Sequence, residues 1–238
     1  MKRLLTCLLI ALLGWTITAT PVQRKTAAAE ETKKLQPSKD TTLIESAKGL
    51  LGNSEGETIF VGRTGQPQES KRRGLIAFDL AGAIPARSRI TSVTLTMTLQ
   101  LSAGGDQPRT VNLYRVSRFW KEGTSVAQGG RGAEAAAGDA TWIHSVYPTT
   151  RWSRPGGDYL KVSSAKTDVA GAGVYTWNST PRLVADVQSW VNAPKKNFGW
   201  ILIGDESQAA TAKVFHSSEA TDETLRPQLT VTFRPPAK

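Results

Sequence analysis

The sequence predicts an all-β protein: a two-sheet antiparallel jelly-roll sandwich with one short amphipathic helix at about 181–192 and a long loop insertion at about 121–173. Three observations carry this reading. Ile90–Leu101 alternates apolar and polar residues, which places Val93, Leu95, Met97, Leu99 and Leu101 on one face of a strand. Runs rich in β-branched and aromatic residues recur along the chain, separated by glycine- and proline-containing turns. Only one stretch has apolar residues at helical spacing, too few for a doubly wound α/β fold.

Taken in order, the chain opens with Lys2 and Arg3 before the apolar run Leu4–Leu13. That run suits a signal peptide and is too short for a bilayer core of roughly 30 Å. Residues 1–29 are therefore expected to be a signal peptide, with Ala27–Ala29 or the earlier Ala19 as cleavage site; an uncleaved anchor is the alternative. Export agrees with the cysteine usage: Cys7 is the sole cysteine and leaves with the signal, so the mature chain has no disulfide. Residues 30–39 are polar, contain Pro37 and read as a flexible tether. A single β-sandwich domain is expected over 40–238, long enough to bury its own core.

Asp40–Ser46, Thr58–Val61, Gly74–Leu80, Ile90–Leu101 and Thr110–Val116 read as strands, with turns at Gly49–Glu57, Ile84–Pro85 and Gly104–Asp106. Regular pattern fades from 121 to 173, where Thr141–Ile143 and Asp158–Val162 are candidate short strands. Val174–Trp177 is the next strand. Thr180 followed by Pro181 is an N-cap with proline at the first helical position. Leu183, Val184, Val187, Trp190 and Val191 then follow helical spacing, and Pro194 ends the helix. Gly199–Gly204, Ala212–His216 and Pro227–Phe233 complete the sheets. Trp177, Trp190 and Trp200 fall at core positions.

A patternless segment of such length inside a compact domain is the place to look for a site. Gly138–Tyr159 holds Trp142, Tyr147, Trp152 and His144 beside Arg151, Arg154 and Asp158. Aromatic faces stack on sugar rings, and the flanking charged groups hydrogen-bond what remains. The ligand-binding candidates are thus Tyr147, Arg151, Trp152, Arg154, Asp158 and His144, with Tyr147 and Trp152 as the platform. The same aromatics could instead form a satellite core that holds the loop, with Trp142 as its anchor.

Catalytic chemistry finds little support. There are two histidines, His144 and His216, and no Gly-x-Ser-x-Gly elbow. No cysteine or histidine spacing makes a zinc site. Asp205 and Glu206 are sequence neighbours at a strand end and would point to opposite faces, so they read as turn residues. Calcium is the one ion within reach, through scattered oxygen ligands at Asp40, Glu55, Asp139 and Asp158, without an EF-hand-like string. The chain carries 30 basic and 20 acidic residues, net +10. Residues 1–29 contain four of the basic residues and no acid, so their removal leaves 26 against 20, or +6. That excess forms no dense stripe; Lys71–Arg73 and Lys195–Lys196 read as solvated loops or, in a sharper reading, as attraction to an acidic polymer, and nucleic acid is not the expected partner.

The order of motifs resembles a known family. Asp40–Thr42 opens a strand. Arg73–Leu80 precedes Ile84–Ala86 and Ile90–Leu95. Leu113–Val116, Phe119–Thr124 and Gly138–Trp142 follow. Asp186–Trp190, Asn197–Trp200 and Arg226–Val231 complete the series. Together these resemble the DNRLRE-domain family of bacterial and archaeal exported proteins, over most of residues 40–234. The resemblance implies a jelly roll on secreted or surface proteins, some of whose relatives are carbohydrate-binding modules for acidic polysaccharides. It supplies no catalytic or ligand residue to carry over. The combined expectation is an exported, non-catalytic sandwich, extracellular, periplasmic or at the cell surface, that binds polysaccharide or another cell-envelope component. The alternatives are a structural or adhesive envelope protein and, last, a polysaccharide-cleaving enzyme using Tyr147, His144 and Arg151.

Overall fold

The computed structural model describes residues 29–237, so the expected signal segment lies outside the described residues apart from Ala29. Eleven strands form one continuous antiparallel sheet that folds over into two layers. In chain order they are β1 (Glu31–Leu35), β2 (Lys39–Ile44), β3 (Thr58–Arg63), β4 (Lys71–Ala77), β5 (Arg89–Ser102) and β6 (Arg109–Arg115). Then come β7 (Ala165–Val169), β8 (Gly173–Trp177), the helix α1 (Pro181–Asn192), β9 (Trp200–Ile203), β10 (Lys213–His216) and β11 (Gln228–Arg234). Two small ribbons, Leu51–Gly52 with Ala133–Glu134 and His144–Val146 with Thr150–Arg151, lie outside the main sheet. No helix of the described residues is long and apolar enough to cross a membrane.

The first layer is built around β5, which pairs with β8 on one side and with β11 and β10 on the other; β1 flanks β11. The second layer runs β2, β4, β9, β6, β7. Strand β3 joins them. Its residues Thr58–Val61 pair with β10, and its residues Gly62 and Arg63 pair with β4. The alternation of β5 does what its period requires: Val93, Leu95, Met97 and Leu99 are buried against Val111, Leu113, Trp200 and Leu202 of the opposite layer. Leu101 breaks the pattern. Phe215 pairs with Leu99 but Val214 pairs with Leu101, so Gln100 is an extra residue in the ladder. This bulge turns Leu101 outward, where it is 59% exposed.

The helix matches its sequence signals. Thr180 Oγ1 accepts the Leu183 N–H at 3.0 Å and Pro181 occupies the first turn. Leu183, Val187, Trp190 and Val191 face the core, where the Trp190 and Trp200 rings meet edge-on, 4.6 Å between centroids. Asp186 is buried among them. Its carboxylate accepts from Trp200 Nε1 at 2.9 Å and Ser164 Oγ at 2.6 Å, and Arg115 lies 3.6 Å away.

The insertion is not a free loop. It folds over the outer face of the second layer and makes a second core there: Leu43, Leu75, Ala77 and Ile201 from the sheet meet Val116, Trp120, Ala140, Trp142 and Trp152. This explains why β9 reads as apolar throughout. Trp200 and Leu202 face the main core while Ile201 faces the insertion. Polar groups wire the segment down. Asp139, wholly buried, accepts the Thr124 and Ala136 N–H groups at 2.9 and 2.7 Å and the Ser54 hydroxyl at 3.0 Å.

Several expectations change. Residues 31–35 of the expected tether form an edge strand, in register with β11 from Glu31–Phe233 to Leu35–Leu229, so the sandwich begins before residue 40. The segment at 121–173 contains β7, which was not anticipated. Thr141–Ile143 is not a strand; pairing starts at His144. Asp158–Val162 contributes only a single bridge, Tyr159 with Val116.

Candidate functional site

Where the insertion runs back along the second layer, an open groove of about 450 Å³ forms between Ser117–Arg118 and the turn 153–161. Asp158 shapes it. Its Oδ2 accepts the Ser153 N–H at 2.9 Å and the Arg118 Nε–H at 2.6 Å, and its Oδ1 accepts the Arg154 N–H at 3.2 Å. Arg118 Nη2 also donates to Ser153 Oγ at 2.9 Å. The carboxylate thus holds its own turn closed, as Asx residues do. Gly156 is needed in that turn: its φ is +86°, and a Cβ there would lie 2.6 Å from Arg73 Nη1 and 2.9 Å from the Trp142 ring. Beneath the turn, Arg73 makes a bidentate pair with Glu206 at 2.7 and 2.9 Å, donates to Gly156 O, and sits 4.9 Å over the Trp142 ring.

The electrostatics are one-sided. Burial acts to raise the Asp158 pKa, but the hydrogen bonds from the Ser153 N–H and Arg118 outweigh it and hold the carboxyl below its ordinary value. Asp158 is therefore ionised and neutralised by Arg118. Arg154 and Lys161 are exposed and make no ion pair among the described residues. Tyr159 supplies the aromatic surface. Its ring is half-buried, 5.3 Å from the Tyr114 ring, with Lys161 Nζ 5.3 Å from its centroid. The groove can bind an anion and lie against the flat face of a ring. Its lining contains no histidine and a single carboxylate, and a carboxylate held ionised cannot donate a proton as a general acid.

Of the residues expected to bind ligand, Arg154 and Asp158 line this groove, and the others do not. Trp152 is a correction. It is 5% exposed within the second core, and its indole N–H donates to Thr141 O at 2.8 Å, so neither ring face is open. Tyr147 packs edge-on against His144 at 5.2 Å and is half-buried. The expected Tyr147–Trp152 platform is therefore not formed. His144 is buried, with Nδ1 3.1 Å from Thr141 Oγ1. Arg151 is exposed on the ribbon that includes His144, and its charge disfavours protonation of that imidazole. Arg118, Tyr159 and Lys161 escaped the sequence reading. The signal is present in part: Tyr159 and Lys161 lie within three residues of Asp158, but a strand reading assigns them to a sheet. His216, on β10, is partly buried, and Asp205 and Glu206 are each paired with an arginine.

Among the candidate calcium ligands, Asp139 and Asp158 are consumed by the hydrogen bonds above, and Glu55 is exposed. Asp40 is different: it lies, 1% exposed, in a group with Glu122 and Glu219. Compared with protein-family models and with curated proteins, the sequence matches none.

Proposed function

We propose that this protein is an exported, non-catalytic sandwich that binds an acidic polysaccharide in the groove between Arg118 and Lys161. The observation that carries the reading is the placement of two unpaired cations, Arg154 and Lys161, beside the ring of Tyr159 along an open groove. A sugar ring lies against the aromatic edge while its carboxylate or sulfate meets the cations. Arg118 is already paired with Asp158 and serves to hold the turn. The resemblance of the motif order to the DNRLRE-domain family supports the same reading, as does the absence of cysteine beyond residue 7. A second reading, a structural or adhesive envelope protein, draws on the shallow groove that Leu101 and Val126 line, each more than half exposed.

Affinity electrophoresis in gels containing alginate, pectin, a glycosaminoglycan or a neutral glucan tests the first reading. Retardation is expected in the acidic gels only, and it weakens as salt rises because the contacts are exposed. Replacing both Arg154 and Lys161 by glutamine removes two surface charge contacts of about 0.7 kcal/mol each, which lowers affinity about tenfold. Equal retardation by neutral glucan, or a double variant that binds as the parent does, overturns the reading. Binding to envelope proteins with no retardation in any gel favours the second.

A further inference from the structure

A second site lies away from the groove. Asp40 on β2, Glu122 from the start of the insertion and Glu219 after β10 each present a carboxylate oxygen, and these oxygens lie within 4.8 Å of one another. Each carboxylate is oriented by a hydrogen bond to one oxygen. Asp40 Oδ2 accepts the Ser218 N–H at 2.8 Å, Glu122 Oε1 the Asp40 N–H at 2.5 Å, and Glu219 Oε1 the Ser218 hydroxyl at 2.7 Å. The other oxygen of Glu219, Oε2, is wholly buried and has no hydrogen-bond partner among the described residues. Orphaned buried oxygens are rare, and each one asks for a donor or an ion.

Among the described residues no cation lies within ion-pair distance of that cluster; Lys39 is near enough to Glu122 to be felt as a charge but does not pair with it. The nearest lysine by sequence, Lys39, instead donates to Trp120 O at 2.5 Å and lies 3.9 Å over the Trp120 ring. Three carboxylates, one of them the fully buried Asp40, are held together without an ion pair against their mutual repulsion. An ion that takes oxygen ligands at about 2.3–2.6 Å spans ligand oxygens up to about 5 Å apart, which fits this spacing. Magnesium, which demands near-ideal octahedral geometry at shorter distances, fits a set drawn from three separate segments less well.

We infer that Asp40, Glu122 and Glu219 form a calcium site that fastens the first strand of the second layer, the insertion and the β10–β11 connection to one another. The site is independent of the polysaccharide reading, since it shares no residue with the groove.

The test is calcium binding to the purified protein at pH 7.5, by isothermal titration and by thermal unfolding in 1 mM calcium against EDTA. One calcium per chain is expected, and a rise in Tm of about 5–10 °C for a site saturated a hundredfold over its Kd. Glu122→Gln and Glu219→Gln keep the side-chain shape and remove one charge each. Both should melt in EDTA at or above the parent temperature and lose the calcium-dependent rise. Both glutamates are partly exposed, so each variant tests the site independently should the other fail to fold. A parent protein that takes up no calcium at millimolar concentration, or a calcium response that survives in Glu219→Gln, overturns the assignment.

Discussion

Replacing Trp152 by alanine separates a stacking surface from a structural anchor, and the structure sets the size of the effect. The side chain is 5% exposed and lies in the core formed by Trp120, Trp142, Leu75 and Ile201. Truncating a buried tryptophan costs about 3–5 kcal/mol through lost transfer energy and the cavity left behind. Its indole N–H is the donor to Thr141 O, and leaving that carbonyl without a partner adds about 1 kcal/mol. The sum, about 4–6 kcal/mol, is a large share of the roughly 5–15 kcal/mol that a domain of this size possesses. At about 2–4 °C per kcal/mol, the Tm should fall by about 10–20 °C. Thermal unfolding by circular dichroism measures this directly. Limited trypsin digestion adds a local readout, because Arg151 and Lys161 are exposed in the segment that Trp152 anchors and should be cut faster in the variant. A Tm within about 2 °C of the parent together with unchanged cleavage would refute the assignment of Trp152 to a second core.

Two further predictions follow from local chemistry. Thr180→Ala removes the cap on the Leu183 N–H and a hydrogen bond to Ser164 O, and should cost about 1–2 kcal/mol by urea unfolding, while Thr180→Ser should recover most of it; equal losses in both variants would contradict the capping role. Burial, reinforced by the Arg151 charge, holds the His144 imidazole below its ordinary pKa. The unfolded chain therefore binds that proton first, so the contribution of His144 is complete above about pH 6.5 and is lost as pH falls from there toward its folded value. The Tm difference between the parent and His144→Gln should accordingly shrink between pH 8 and pH 5; a constant difference would show that the imidazole is not desolvated.

The strands and the helix that were legible in the sequence are those whose signal is local. The alternation of Val93 to Leu99 and the spacing of Leu183 to Val191 each repeat within a few residues, and burial follows them. The elements that escaped are defined by their partners. Glu31–Leu35 has four exposed residues out of five because it lies on an edge, so nothing in its composition separates it from a tether. In Ala165–Val169, the inward positions Ala165 and Val169 flank a threonine, and that is too weak an alternation to stand out. Leu101 continues a clean pattern in sequence, yet the bulge at Gln100 depends on how β10 pairs, and only that pairing turns the side chain to solvent.

The candidate sites follow the same division. Arg154 and Asp158 were found because both belong to one turn whose glycines and charges are adjacent in the chain. Arg118, which clamps that turn, lies 40 residues earlier, and Asp40 meets Glu122 across 82 residues. No spacing rule reaches such distances in a fold whose connectivity is set by long-range strand pairing. Trp152 was ambiguous for a physical reason: a flat apolar ring with one N–H donor serves a sugar ligand and a wet-edged core equally well. What decides between them is the back of the sheet. Leu43, Leu75 and Ile201 face away from the main core and require a cover, and the aromatic residues of the insertion provide it. Once Trp120, Trp142 and Trp152 are used for that cover, the aromatic surface left at the groove is Tyr159, and in the proposed reading the cations beside it, rather than the buried rings, are what an acidic ligand would meet.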